Sequence, residues 1–167
     1  MAKTSRMVAL ALSVLLIPCP SAHAATPRTL TATVERVSGG DTSVAIAENG
    51  TKLKIRLLGI DAPEVAHGPK PGQLYGQEAR DYLARLIGGR TIRMQTYGPD
   101  GFNRTLAMVL LGTVNVNLEM VQQGLAEVYR GVPCQAYCRD LRVAELRAKH
   151  NQVGACAQEE QYETSER

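Results

Sequence analysis

The run Ile55-Arg56-Leu57-Leu58-Gly59-Ile60-Asp61-Ala62-Pro63-Glu64 delivers one guanidinium and two carboxylates to the end of an apolar stretch. Ile55 and Leu57 alternate with Arg56, so on a strand the apolar pair faces one side and the cation the other. Pro63 cannot donate to a sheet ladder and biases Ala62 toward extended geometry. The chain is therefore predicted to leave the strand with Asp61 and Glu64 displayed on a stiff turn. Paired carboxylates beside a fixed cation are the parts that metal-assisted cleavage of a phosphodiester requires.

A second carboxylate source lies upstream. Asp41, in Gly39-Gly40-Asp41-Thr42, reads by itself as ordinary turn chemistry. If the segments on either side form a meander, that turn comes to lie beside the exit of the third strand, and Asp41 and Asp61 meet. Two approaching carboxylates repel unless a cation lies between them, and a divalent ion is the simplest partner. Oxygen ligands without histidine indicate a hard ion, Ca²⁺ or Mg²⁺, and an exported setting favours Ca²⁺.

Arg104 begins a later apolar segment after the turn Gly98-Pro99-Asp100-Gly101, much as Arg56 precedes the carboxylate turn. Arginine at both places suits bidentate pairing with phosphate, for which lysine lacks the planar fork. Glu64, three residues past one candidate ligand, suits a base that takes a proton from water. Each of these residues also has a plain reading as a solvated surface group, and His67 reads as an ordinary loop residue. Their meeting at one place is what would give them chemistry.

The elements that must position them follow from periodicity. Residues 30–37, Thr42 to Ala47 and Thr51 to Leu58 read as three meandering strands separated by Ser38-Gly39-Gly40-Asp41 and Glu48-Asn49-Gly50. The breaker-rich segment His67 to Gly72 reads as a loop that carries Lys70 next to the carboxylate turn. Ala79, Tyr82, Leu83, Leu86 and Ile87 mark a helix stopped by Gly88-Gly89. Thr91 to Tyr97 and Thr105 to Leu111 read as two further strands. A short helix is expected to open at Asn117 and close at Gly124, and a last helix to run from Tyr137 to His150. Five short strands with a helix between the third and fourth predict an α+β fold, a five-stranded Greek-key barrel of the OB type with about three helices.

Residues 1–24 read as a secretory signal: Lys3 and Arg6, an apolar stretch from Met7 to Ile17, then the small-residue site Ala22-His23-Ala24. Cys19 invites a lipoprotein reading, which the flanking prolines disfavour. The expected product is exported, periplasmic or secreted, with no stable membrane association and a single-chain state. Loss of Lys3 and Arg6 lowers the formal net charge from +3 to about +1. Charge alone therefore does not announce a nucleic-acid binder. Residues 25–158 form one expected domain, and the acidic stretch 159–167 is predicted to be disordered. Three cysteines follow the leader. One disulfide joining Cys156 to Cys134 or Cys138 is the favoured reading. A zinc site on Cys134 and Cys138 is the competitor, with His150 the one nearby histidine.

With these residues in view, the chain resembles the thermonuclease family, the staphylococcal nuclease-like enzymes. The motifs that carry the resemblance are Arg56 to Glu64, Gly40-Asp41-Thr42, Tyr75-Gly76-Gln77-Glu78-Ala79, Arg104-Thr105-Leu106-Ala107 and Val121 to Ala126. The resemblance implies an OB-type barrel and a Ca²⁺-dependent endonuclease acting on DNA and RNA. By position, Asp41, Asp61 and the main-chain carbonyl of Ala62 look like the metal ligands, Glu64 like the general base, and Arg56 and Arg104 like the phosphate-binding arginines. Lys70 and Tyr129 would hold the strand, Tyr129 by stacking on a base.

Several positions depart from the family's pattern. Gly39 stands where an acidic residue is usual, Ala62 where threonine is frequent, and Gly101-Phe102-Asn103 where lysine, tyrosine and glycine often precede the arginine. Cys156 lies near the place of a tryptophan that commonly closes the last helix, and this chain has none. Two other classes remain compatible with the sequence. One is a barrel that binds nucleic acid or protein without cleaving, and the other is a small exported interaction domain.

Overall fold

A computed structural model describes residues 27–131 and 137–157; the expected leader, Cys134 and the acidic tail lie outside the described residues. In chain order the elements are β1 (Arg28–Val37), β2 (Thr42–Ala47), β3 (Lys52–Leu57), β4 (Ile60–Asp61), α1 (Gly76–Ile87), β5 (Thr91–Pro99) and β6 (Thr105–Leu111). There follow β7 (Val114–Asn115), α2 (Val116–Gln122), β8 (Glu127–Val128), α3 (Cys138–His150) and a 3-10 turn over Gly154–Ala157.

The sheet runs β3-β2-β1-β5-β6-β7, and β3 also pairs with β6, which closes β1, β2, β3, β5 and β6 into a barrel. All pairings within it are antiparallel except the closing one, where Ile55 lies opposite Thr105 and Arg56 opposite Leu106 in parallel register. Closure removes the free edges that a five-stranded sheet would otherwise present. The expected OB-type barrel with three helices is thus the observed fold. Alternation sets which side chains enter it: Ala32 and Val34 from β1, Ile55 and Leu57 from β3, and Ile92 and Met94 from β5 are all essentially buried. A register shift between Val34 and Arg36 interrupts the β1–β2 ladder, the kind of irregularity that bends a strand around a small barrel.

The helices close the barrel and tie its parts together. In α1, Ala79, Leu83 and Ile87 recur every four residues on one buried stripe. In α3 the buried stripe is Leu141, Ala144 and Ala148. Tyr82 of α1 donates a hydrogen bond to Glu119 Oε1 of α2 at 2.6 Å, joining those two helices. Among the described residues no helix is long and apolar enough to cross a membrane.

The structure corrects the start of α2. The helix caps on Asn115, whose side chain accepts from the Leu118 amide at 3.1 Å, and not on Asn117. Asn117 is fully buried instead. Its Oδ1 accepts from the Val109 amide at 2.9 Å, and its Nδ2 donates to the carbonyls of Leu58 at 2.9 Å and Ala107 at 3.1 Å. A buried amide with three partners is fully satisfied, and here it ties the end of β3 to β6. The two-residue ribbon β4–β8 was also not expected, since neither strand is long enough to show an alternating pattern. It matters because Asp61 lies in it.

Burial raises the Tyr82 phenol, and the hydrogen bond to Glu119 together with that carboxylate's charge adds to the effect, so its pKa is pushed up to about 12. A pKa raised on folding contributes stability that is complete below the unfolded value of 10.0 and is lost as pH rises through about 12. Phenolate absorbance should therefore show a late-titrating tyrosine that is absent in Tyr82→Phe. Loss of that component in the parent protein would contradict the assigned contact.

Candidate active site

Asp41 precedes β2, and its carbonyl accepts from the Leu57 amide at 2.8 Å, so the ladder between β2 and β3 extends to the carboxylate turn. Its side chain is largely buried. Oδ1 accepts from the Thr42 hydroxyl at 2.8 Å, and Oδ2 accepts from the Ala62 amide at 2.9 Å. Nη1 of Arg56 forms an ion pair with the same Oδ2, although without hydrogen-bond geometry. The other terminal nitrogen, Nη2, donates to Asp61 Oδ1 at 2.5 Å. One guanidinium thus bridges two carboxylates that come from separate turns.

Burial differs sharply across this cluster. The side chains of Asp41 and Arg56 are 9% and 12% exposed, whereas that of Asp61 is 58% exposed. Asp41 is an internal anchor, and Asp61 faces solvent. The approach of the Asp41 turn depends on small residues: a Cβ on Gly40 would lie 2.6 Å from the methyl groups of both Ala62 and Ala79. Nothing larger than glycine fits at that crossing.

Glu64 leaves this cluster two residues past Ala62. Its amide donates to Gln73 Oε1 at 2.7 Å, and its carbonyl accepts from the Gln73 amide at 2.8 Å. The same carbonyl lies against Gly76 at the start of α1, where a Cβ would collide with it. The carboxylate is exposed and makes no hydrogen bond or ion pair among the described residues. Between Glu64 and Gln73 the segment folds back on itself, with His67 and Lys70 exchanging two backbone hydrogen bonds of 3.0 Å. Lys70 is at this tip, exposed, and in no contact with the carboxylate cluster.

Arg104 stands one residue before β6. The register places it two positions upstream of Leu106, the partner of Arg56, on the same face and about 7 Å along the strand direction. Its Nε and Nη2 both reach Asp100 Oδ2 at 2.7 Å. Burial raises the Asp100 carboxyl, but the amides of Arg104 and Phe102 and the Arg104 guanidinium outweigh it and hold the group below 3.8. Phe102, the single phenylalanine of the chain, is 80% exposed with the Arg104 guanidinium 5.3 Å from its ring centre. Neither Asp100 nor Phe102 is among the residues expected from sequence. The available signal was an aromatic placed in a polar turn beside an arginine.

Tyr129 follows β8 and donates its amide to the Gly59 carbonyl at 2.9 Å, while Glu127 lies opposite Asp61. Alternation puts Tyr129 on the same face of this ribbon as Asp61. The ring is 43% exposed. Glu145 on α3, itself buried, accepts from the Val128 amide at 2.9 Å and from Arg130 at 3.2 Å, which docks the ribbon on the helix. A cavity of about 370 Å³ opens between Asp61, Pro63, Gln73, Leu74 and Glu127.

The residues present fit a hard divalent cation. The side-chain oxygens gathered at the turn are those of the Asp41 and Asp61 carboxylates, joined through Arg56, and Ala62 follows Asp61 in sequence. Arg56 neutralises only one of the two negative charges. Among the described residues no group of three or more His, Cys, Asp or Glu side chains is gathered as a metal set. Cys138 is disulfide-bonded and buried, which removes its thiolate from the zinc reading. Cys156 lies in the 3-10 turn, and Cys134 is outside the described residues.

Residues 54–157 match the family described as staphylococcal nuclease homologue, and the chain belongs to it. The match begins inside β3, so Asp41 lies upstream of it and is tied to the site by geometry. An "Uncharacterized endonuclease" of Haemophilus influenzae is 37% identical over 100 residues, covering 60% of this chain and 53% of that protein. A "Probable endonuclease LCL3" of Phaeosphaeria nodorum is 37% identical over 122 residues, 69% of this chain and 41% of that protein. The corresponding protein of Zygosaccharomyces rouxii is 35% identical over 119 residues, 67% of this chain and 43% of its own length. The chain spans about half or less of the length of these relatives.

Gly40→Ala should destabilise the protein by about 1–3 kcal/mol, the usual cost of overpacking, and Ala79→Gly in the same chain should recover part of that loss. Denaturant unfolding of the three variants measures it. Additive losses would contradict the tight crossing.

Proposed function

We propose that the chain is an exported endonuclease that hydrolyses phosphodiester bonds of DNA and RNA as a single chain with Ca²⁺ as its metal. The single observation that carries this reading is the Arg56 guanidinium bridging Asp41 and Asp61, with Asp61 three residues ahead of Glu64, whose carboxylate has no partner among the described residues. Family membership and relatives named endonucleases support hydrolysis of nucleic acid. The charged start, apolar stretch and small-residue site within residues 1–24 support export.

Asp41, Asp61 and the Ala62 carbonyl would hold the ion, which when bound supplies positive charge to a phosphate oxygen and lowers the pKa of water. Glu64 takes the proton of the attacking water, so that its oxygen bonds to phosphorus as the bond to the 5′ oxygen breaks. That oxygen leaves and takes a proton from solvent, Glu64 later releasing its own, and a 3′-phosphate end remains. Arg56 and Arg104 donate to the phosphate oxygens, where negative charge grows during the step. To do so Arg56 turns part of its fork from Asp61, the exposed member of its pair, while the buried contact to Asp41 keeps it in place. Lys70 on the folded-back loop and the exposed ring of Tyr129 hold the strand, by charge and by stacking.

Purified protein should degrade plasmid DNA and RNA with calcium and lose that activity with a chelator. Glu64→Gln and Arg56→Lys should each lower kcat by about 100-fold or more with the fold intact by circular dichroism. Nucleic-acid binding without cleavage under all these conditions would instead identify a binding module.

A further inference from the structure

We propose that Gln73 is a positioning residue that sets the geometry of Glu64 through its side-chain amide; this rests on Glu64 acting as the base. The two backbone polar groups of Glu64 are both taken by this one residue. Its amide donates to the Gln73 side chain at 2.7 Å, and its carbonyl accepts from the Gln73 main chain at 2.8 Å. Because the donor is a backbone N–H, the amide of Gln73 can face it only with its oxygen, which fixes the orientation of the side chain. Gly76 closes the third side, since any Cβ there would run into the Glu64 carbonyl.

The consequence is a base whose main chain is held and whose carboxylate has no partner among the described residues. Pro63 fixes the chain just before Glu64 and has no N–H to offer. The aim of that carboxylate is set by its held backbone together with its own side-chain torsions. Rotation of the Glu64 main chain by a small angle moves the carboxylate by about an ångström, enough to cost about 10- to 100-fold in rate. Gln73 also borders the cavity next to Asp61.

The side-chain bond can be removed while the main-chain bond stays. Gln73→Met keeps length and volume but offers the Glu64 amide only a weak thioether acceptor in place of the oxygen, and Gln73→Glu restores an acceptor oxygen at the same reach. The expected result is kcat lowered about 10- to 100-fold in Gln73→Met with KM within about twofold, and kcat within a few-fold of the parent in Gln73→Glu. Hydrogen exchange at the Glu64 amide should quicken in Gln73→Met and be restored in Gln73→Glu. Unchanged kcat in Gln73→Met, or equal impairment of both variants, overturns the inference. Glu64→Gln serves as the control. Full turnover in that variant would remove Glu64 as the base and the inference with it, whereas an inactive Glu64→Gln beside a normal Gln73→Met would remove only the role of Gln73.

Discussion

Asp41 is a carboxylate taken almost wholly out of water, and the guanidinium of Arg56 is the cation that makes its burial tolerable. The remaining lone pairs of Asp41 are met by the Thr42 hydroxyl and the Ala62 amide. Each of these partners belongs to a different segment: the start of β2, the end of β3 and the turn after β4. A single buried charge therefore holds three pieces of chain in one arrangement. Asp61 is the outer half of the same bridge, and because it is exposed, breaking its pair with Arg56 would strand no charge in the interior.

The rest of the molecule holds this bridge in place. Closing the barrel through the parallel β3–β6 pair sets Arg104 on the same wall as Arg56. Asn117 fastens the last carbonyl of that region, Leu58, to Ala107. The β4–β8 ribbon carries Asp61, and Glu145 on α3 docks that ribbon against the helix. α1 contributes its N-terminal Gly76 and its Ala79 as the surfaces on which Glu64 and Gly40 rest. The helices thereby fix the places of Asp41, Arg56, Asp61 and Glu64.

Much of this was legible in the residues because it depends on local pattern. Alternation named the five barrel strands, and spacing of three and four named the helices. Asp61 and Glu64 could be read around Pro63 because proline acts on its neighbours. What could not be read were the contacts made by isolated polar side chains across long sequence separations. Asn117 looked like a helix cap and is a buried clamp. Gln73 carried no sequence signal and grips Glu64 nine positions away. Asp100 looked like turn punctuation and anchors Arg104. Sequence reasoning expects a divalent cation between Asp41 and Asp61; in the fold the Arg56 guanidinium stands between them.

The central claim is that the buried Asp41 and Arg56 stabilise each other and that neither is tolerated alone. A double-mutant cycle with Asp41→Asn and Arg56→Met, followed by denaturant unfolding, measures it directly. Each single variant should lose about 3 kcal/mol or more, and the double variant should be well short of the sum, with a coupling of about 1–3 kcal/mol. Additive losses, or a stable Arg56→Met with Asp41 still buried and ionised, would contradict the account.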